Sequence, residues 1–193
     1  MPELFARIPE DRVAVLIGAG GTTKRSIEQR TRTRLTIEAA EGGVEVESLD
    51  EGDVDGALRA RDIVLAIGRG FSPARAARLL KPDTYLGIIE IKRVARRHDK
   101  DSLWRIRSRL IGAQGRARRR LEDLSGASVS VLGSTVAVIG QEKELESATK
   151  AIELLLRGSE HSTVFHLLVR RRRDQAVEAA LEPLEPAEPI DLE

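Results

Sequence analysis

The chain has 193 residues, a formal net charge of +1, no Cys, 41% hydrophobic residues and 3% aromatic ones. That length holds one domain or two small ones, the apolar fraction suffices for a packed core, and wholesale disorder is excluded. Without Cys there is no disulfide framework, thiolate nucleophile or Cys-based zinc site; no apolar run nears the roughly 20 residues that cross a bilayer, and Met1-Pro2-Glu3-Leu4-Phe5 lacks a signal-peptide layout, so a soluble cytoplasmic protein without membrane contact is expected.

In chain order, Phe5 to Ile8 reads as a short strand and Asp11 to Ile17 as a short helix stopping at Gly18. Gly18-Ala19-Gly20-Gly21 leads into a helix over Thr22 to Gln29. Arg34 to Glu38 and Val44 to Ser48 read as strands joined through Gly42-Gly43. Asp53 is placed to N-cap a helix with core face Val54, Leu58, Ile63 and Ile67, closed by Gly68. Phe71 to Asp83, with Pro73 and Pro82, links this unit to the next.

Tyr85 to Arg93 follows as a strand, and Leu103 to Ile111 as a helix stopping at Gly112. Beyond Gly112-Ala113-Gln114-Gly115, Ala117, Leu121 and Leu124 share one helical face, with Gly126 as a left-handed cap. Val129 and Val131 alternate with Ser128 and Ser130, the pattern of a half-buried strand. Gly133-Ser134 turns into a second strand, Thr135 to Ile139. A longer helix starts near Glu142, with Leu145, Ala148, Ile152 and Leu155 on one side and Gly158 past its end. Trp104, Tyr85 and the phenylalanines are expected in the core. Asp174 to Glu193 has seven acids, no base and prolines at 183, 186 and 189, which predicts a solvated extension.

Two stretches of this chain are one pattern written twice. Ile17-Gly18-Ala19-Gly20-Gly21 returns 94 positions later as Ile111-Gly112-Ala113-Gln114-Gly115. At that offset Ile27-Glu28 falls on Leu121-Glu122, Leu35 on Val129 and Ile37 on Val131. With two residues fewer, Val44 and Val46 fall on Val136 and Val138. Glycines followed by a matched apolar pattern mean duplication of one β-α-α-β-β-α unit. The fold class is therefore α+β, with two tandem copies, each a three-stranded sheet packed on helices. They span 1–72 and 85–173, with a linker at 73–84 and the acidic tail at 174–193.

A Gly-x-x-Gly loop between two helices presents backbone N–H groups and the positive end of the next helix, which together cradle phosphate. A Cβ would hold a sugar-phosphate strand away from the main chain. This doubled layout resembles the KH family, whose loop clamps about four backbone nucleotides of a single strand. The resemblance implies two type I KH domains. A closer one rests on Leu110-Ile111-Gly112-Ala113-Gln114-Gly115-Arg116-Ala117-Arg118-Arg119, on Ser130 to Gly140, and on Gly158-Ser159-Glu160-His161-Ser162-Thr163-Val164-Phe165. These segments look like the KRR-type ribosome-assembly proteins of the Partner-of-Nob group and its archaeal relatives. That resemblance implies binding of single-stranded RNA near the 3′ end of small-subunit rRNA. It also implies contact with a pre-rRNA endonuclease and with the α subunit of initiation factor two.

The charge is distributed to match. Of the 32 basic residues 26 are Arg, and their planar forks suit phosphate; genome composition or high-temperature life, to which the missing Asn and Cys also point, is an alternative cause. Residues 91–120 hold twelve bases against two acids, a local charge of +10, whereas 38–55 holds eight acids and no base. Arg105, Arg107 and Arg109 precede the second loop, and Arg116, Arg118, Arg119 and Arg120 follow it. The RNA-contacting set is Gly112, Ala113, Gln114, Gly115, Arg116, Arg118, Arg119 and Arg109, with Gly18, Ala19, Gly20, Gly21 and Lys24 in the first unit. The loop centres carry no base, so contact there uses backbone N–H. Only Lys24, Arg25 and Arg30 follow the first loop, making that unit the weaker RNA binder and a packing or protein-docking partner.

Two other readings remain open at this stage. One keeps the fold as a protein-interaction scaffold without RNA. The other takes Val13 to Ile17 and Gly18-Ala19-Gly20 as the start of a dinucleotide-binding turn, with Glu38 as the ribose acid. His98, His161 and His166 lack metal-ligand spacing, no nucleophile motif is present, and no cofactor or catalytic residue is assigned. The run Arg170 to Arg173 either adds electrostatic affinity or flanks the tail.

Overall fold

A computed structural model describes residues 3–50, 53–94 and 100–181. The first unit runs β1 (Glu3–Arg7), α1 (Glu10–Ile17), α2 (Thr22–Thr31), β2 (Thr33–Glu38), β3 (Gly43–Ser48) and α3 (Val54–Gly68). A helical turn α4 (Pro73–Ala76) and a 3₁₀ turn (Ala77–Leu80) then lead to β4 (Thr84–Glu90) and α5 (Ile91–Val94). The second unit continues with α6 (Lys100–Ile111), α7 (Arg116–Ser125), β5 (Ser128–Leu132), β6 (Thr135–Gln141), α8 (Glu142–Leu156) and α9 (His161–Leu181). Each unit carries one antiparallel three-stranded sheet, in the order β1-β3-β2 and β4-β6-β5. The expected α+β class with two β-α-α-β-β-α units is what the chain adopts. Glu51, Arg96, Arg97, His98 and the tail from residue 182 lie outside the described residues.

The caps follow local chemistry. Asp53 accepts the Gly56 N–H at 2.9 Å, Ser72 caps α4 ahead of Pro73, and Gln141 with Glu144 closes a capping box on α8. Gly126 takes the left-handed cap position at φ 79°. Repetition reaches single hydrogen bonds. Thr31 Oγ1 donates to the Ile27 carbonyl at 2.7 Å, and Ser125 Oγ to that of Leu121 at 2.8 Å. Glu28 accepts the Leu35 N–H at 2.9 Å, and Glu122 that of Val129 at 2.6 Å.

Several expectations are corrected by packing. Val54 and Leu58 lie at the surface; the buried face of α3 is Ala57, Ala60, Ile63, Val64 and Ile67, whose small members let the helix sit close to its sheet. Trp104 is 63% exposed, because Leu103, Ile106 and Leu110 form the inward stripe of α6 and turn the indole outward. Tyr85 on edge strand β4 and Phe5 on edge strand β1 are also exposed, while Phe71 and Phe165 are core residues. The strand expected over Tyr85 to Arg93 ends at Glu90, and Ile91 to Val94 turn into helix. Asp174 to Leu181, expected in the solvated extension, are helix in α9, which is tied to α8 by Arg171–Glu146, Gln175–Ser147 and Lys143–Glu178.

Most consequential is the second sheet, which is covered on both faces. Val136 and Val138 point into the second core, while Ala137 and Ile139 belong to the first unit's core, with Leu86 packed beside them. Ser128 and Ser130, expected on a solvent face, are buried. Arg78 donates to Ser128 Oγ at 2.8 Å and to Glu144 at 3.2 Å, and Arg75 pairs with Glu122. The stretch between the units thus connects them and also fills their interface, with Phe71, Ala76 and Leu79 buried.

Candidate nucleic-acid interface

Both glycine loops adopt one geometry. Gly18 and Gly112 stand at φ/ψ of 74°/173° and 72°/173°, and Gly20 and Gln114 at 56°/24° and 53°/26°. Gly21 and Gly115 follow in the left-handed region at φ 80° and 75°. The first glycine of each loop is set by packing: a Cβ on Gly112 would stand 2.8 Å from the Ala117 nitrogen, and one on Gly18 would lie 2.9 Å from that of Thr23. The positions of Gly20 and Gly115 face open space instead, with nothing within 4 Å of an added Cβ at Gly20 or Gly115. Open space over a bare backbone, at the start of a ten-residue helix whose first-turn N–H groups lack intrahelical partners, admits a phosphate.

An arginine folds back over each loop. Arg25 donates to the Gly20 carbonyl at 2.6 Å and Arg119 to the Gln114 carbonyl at 2.9 Å. The loop centres, which hold no basic side chain of their own, therefore receive a cation from the next helix. The loop tips Ala19, Gly20, Ala113 and Gln114 are exposed.

The remaining arginines divide by what they touch. Arg105, Arg116 and Arg119 are exposed, and Arg118 is half-buried on the same helix. Arg109 instead donates to the carbonyls of Gly158 and Ser159, while its own carbonyl meets His161 Nε2 at 2.9 Å, so its side chain binds α6 to the start of α9. Arg120 stacks on the Phe165 ring, 4.9 Å from the centroid. Arg107 reaches the Gly133 carbonyl at 3.4 Å in the β5–β6 turn. Within the Arg170 to Arg173 run, Arg171 pairs with Glu146 and Arg172 donates to the Asp123 carbonyl, which holds α9 against α8 and α7. Lys24 in the first unit sits 3.8 Å from Glu28.

Trp104, Arg107, Ser108 and Ile111 recur at helical spacing, so one stripe of α6 runs from the exposed indole to the glycine loop. Arg107 fixes that stripe against the β5–β6 turn. Sequence reasoning missed Trp104 as a surface aromatic. The neighbouring stripe of Leu103, Ile106 and Leu110 was the signal that would have found it. In the first unit the matching position is Glu10, and that stripe has no aromatic and no arginine. The dinucleotide reading fails here, because Val13 to Ile17 are helix α1 rather than the strand such a turn requires.

Comparison with known proteins agrees with this architecture. Residues 4–64 match the family described as the KH domain, and residues 85–173 the family described as the eukaryotic-type KH domain, KH-domain type I. A KH domain-containing protein of Methanocaldococcus jannaschii is 41% identical over 168 residues, covering 86% of this chain and 73% of that protein. The crystal structure of Dim2p from Pyrococcus horikoshii is 49% identical with a TM-score of 0.83, over 88% of this chain and 99% of that one. A chain in the a/eIF2alpha–aDim2p–rRNA complex from the same organism is 49% identical with a TM-score of 0.84, over 90% and 95%. A protein of unknown function from Aeropyrum pernix is 34% identical with a TM-score of 0.89, over 93% and 95%.

Proposed function

The chain belongs to the KH-domain family, and on that premise we propose that it binds single-stranded RNA as a small-subunit ribosome assembly factor. The strand lies along the Gly112–Gly115 cradle, with Ala113 and Gln114 offering main-chain N–H groups and Arg116, Arg118 and Arg119 neutralising phosphates. Arg109 supports the site through its bonds to Gly158 and Ser159. The first loop, Gly18 to Gly21 with Lys24, contacts the same RNA more weakly. The observation that carries this reading is the matched loop pair, alike in backbone geometry and each overlaid by an arginine from the following helix.

The target is the 3′ region of small-subunit rRNA, a choice supported by the Pyrococcus horikoshii complex that unites a/eIF2alpha, aDim2p and rRNA. The same complex supports the α subunit of initiation factor two as a protein partner. A pre-rRNA endonuclease as a second partner rests on family resemblance. The activity is binding, without a catalysed step, and its place is the cytoplasm. A scaffold without RNA would leave the exposed arginines around the second loop without a purpose.

Fluorescence anisotropy with an oligonucleotide of the small-subunit rRNA 3′ end, against a scrambled sequence of equal length, tests the reading. Tighter binding to the rRNA sequence is expected, lost when Ala113 and Gln114 are both replaced by Asp. Equal binding to both oligonucleotides would overturn the assigned target, and binding unchanged by the double substitution would overturn the assigned site.

A further inference from the structure

The outer face of the second sheet is an interface within the chain, but the same face of the first sheet is open. The register that places Val44 and Val46 on Val136 and Val138 places Glu45 and Glu47 on Ala137 and Ile139. Ala137 and Ile139 are buried against the first unit. Glu45 and Glu47 meet no such cover. A face used for docking in one copy of the unit has been rebuilt with charge in the other.

Three rows of residues cross the open face. Glu3, Glu47 and Arg34 form the first, Phe5, Glu45 and Thr36 the second, and Arg7, Gly43 and Glu38 the third. Phe5 is 70% exposed and stands directly opposite Glu45. Glu3 stands directly opposite Glu47, a like-charge cross-strand pair of the kind that destabilises a sheet. Neither of these acids, nor Glu38 or Glu45, forms an ion pair with another described residue. Beside Phe5 the surface is hollowed, and Thr36, Glu38, Glu41 and Glu45 line the hollow with a single basic side chain, Arg7.

An exposed aromatic ring bordered by carboxylates matches one side chain above others. A guanidinium stacks its plane on the ring while its N–H fork donates to the carboxylates on either side. The same carboxylates repel phosphate, so this face turns RNA away as the second loop draws it in. We propose that the outer face of β1-β3-β2 docks an arginine-rich segment of a partner protein, with one guanidinium over Phe5 between Glu3 and Glu45. A seated guanidinium also offsets the repulsion between Glu3 and Glu47.

The probe is a fluorescent ten-residue peptide of alternating Gly and Arg, titrated into the ¹⁵N-labelled full chain. Shift changes are expected to concentrate in Glu3–Arg7 and Gly43–Ser48. Phe5→Ala and Glu45→Gln are each expected to weaken the peptide at least fivefold while leaving RNA affinity within twofold. Shifts spread over acidic residues elsewhere, or peptide affinity unchanged in Phe5→Ala, would overturn the proposal. A dimer in sedimentation that Glu45→Gln dissociates would replace the partner by a second copy of the chain. Loss of RNA affinity in either variant would reassign the face to RNA.

Discussion

The Ser130 hydroxyl donates to the Arg69 carbonyl across 2.9 Å, fastening the second sheet to the end of helix α3 in the first unit. Gly70 follows at φ +97°, and a Cβ there would stand 2.7 Å from that same hydroxyl oxygen. The two units therefore meet with no room to spare, and a buried serine is satisfied only by its partner's backbone.

Joined this closely, the units should unfold together. Urea denaturation followed by far-UV circular dichroism should give one transition, coincident with loss of amide protection in both β3 and β6. Gly70→Val forces bulk against Ser130 and Leu132, and should lower stability by about 1–3 kcal/mol. Two separate transitions in the unaltered protein would show that the interface does not couple the units.

Replacing Ala113 and Gln114 by Asp should reduce RNA affinity by roughly tenfold to a hundredfold, with the circular dichroism spectrum unchanged. Gln114 already sits at φ 53°, a conformation that Asp tolerates. The matching pair at Ala19 and Gly20 should cost less, since fewer cations flank that loop. An equal or larger loss there would reverse the ranking of the two units.

The arginines should separate in a salt titration. Log affinity falls by about 0.7 per log unit of salt for each phosphate neutralised on a single strand. Arg116→Ala and Arg119→Ala should each flatten the slope by about that amount. Arg120→Ala should leave the slope alone and destabilise the fold by about 0.5–1 kcal/mol, because its guanidinium is spent on the Phe165 ring. A slope unchanged in the first two variants would remove them from the RNA path.

Trp104 is the sole tryptophan, so its fluorescence reports one place. If a base stacks on the exposed indole, titration with the rRNA oligonucleotide should quench that emission. Trp104→Ala should then weaken binding by about 1–3 kcal/mol, roughly fivefold or more. Unquenched emission at saturating RNA would place the strand away from α6.

Much of the candidate site was legible in the order of residues. The offset of 94 aligned Glu28 with Glu122, and each carboxylate accepts the N–H of the matching strand residue, Leu35 or Val129. It also aligned Arg25 with Arg119, though nothing local says that both fold back over their loops. Trp104 was expected in the core on residue type alone, whereas helical phase sets which way each side chain points. Arg109 faces α9, an element whose docking depends on Phe165 and Leu168 packing against distant parts of the chain.

By itself the sequence determined the duplicated unit, the two glycine loops and the uneven placement of charge. These follow from local rules: glycine where φ must be positive, apolar residues at the period of each element, and caps at helix ends. Tertiary structure alone decided which sheet face is covered. Ser128-Val129-Ser130-Val131 reads as a strand with one wet face, yet the first unit lies across it and both serines are buried. Alternation records which residues share a face; what rests on that face depends on segments some 60 residues away. The uninterrupted run Val136-Ala137-Val138-Ile139, set against Val44-Glu45-Val46-Glu47, was the one trace of that difference. Removing Ala137 and Ile139 from water favours packing the units together, while desolvating unpaired Glu45 and Glu47 would oppose it, so one sheet is enclosed and its duplicate stays open.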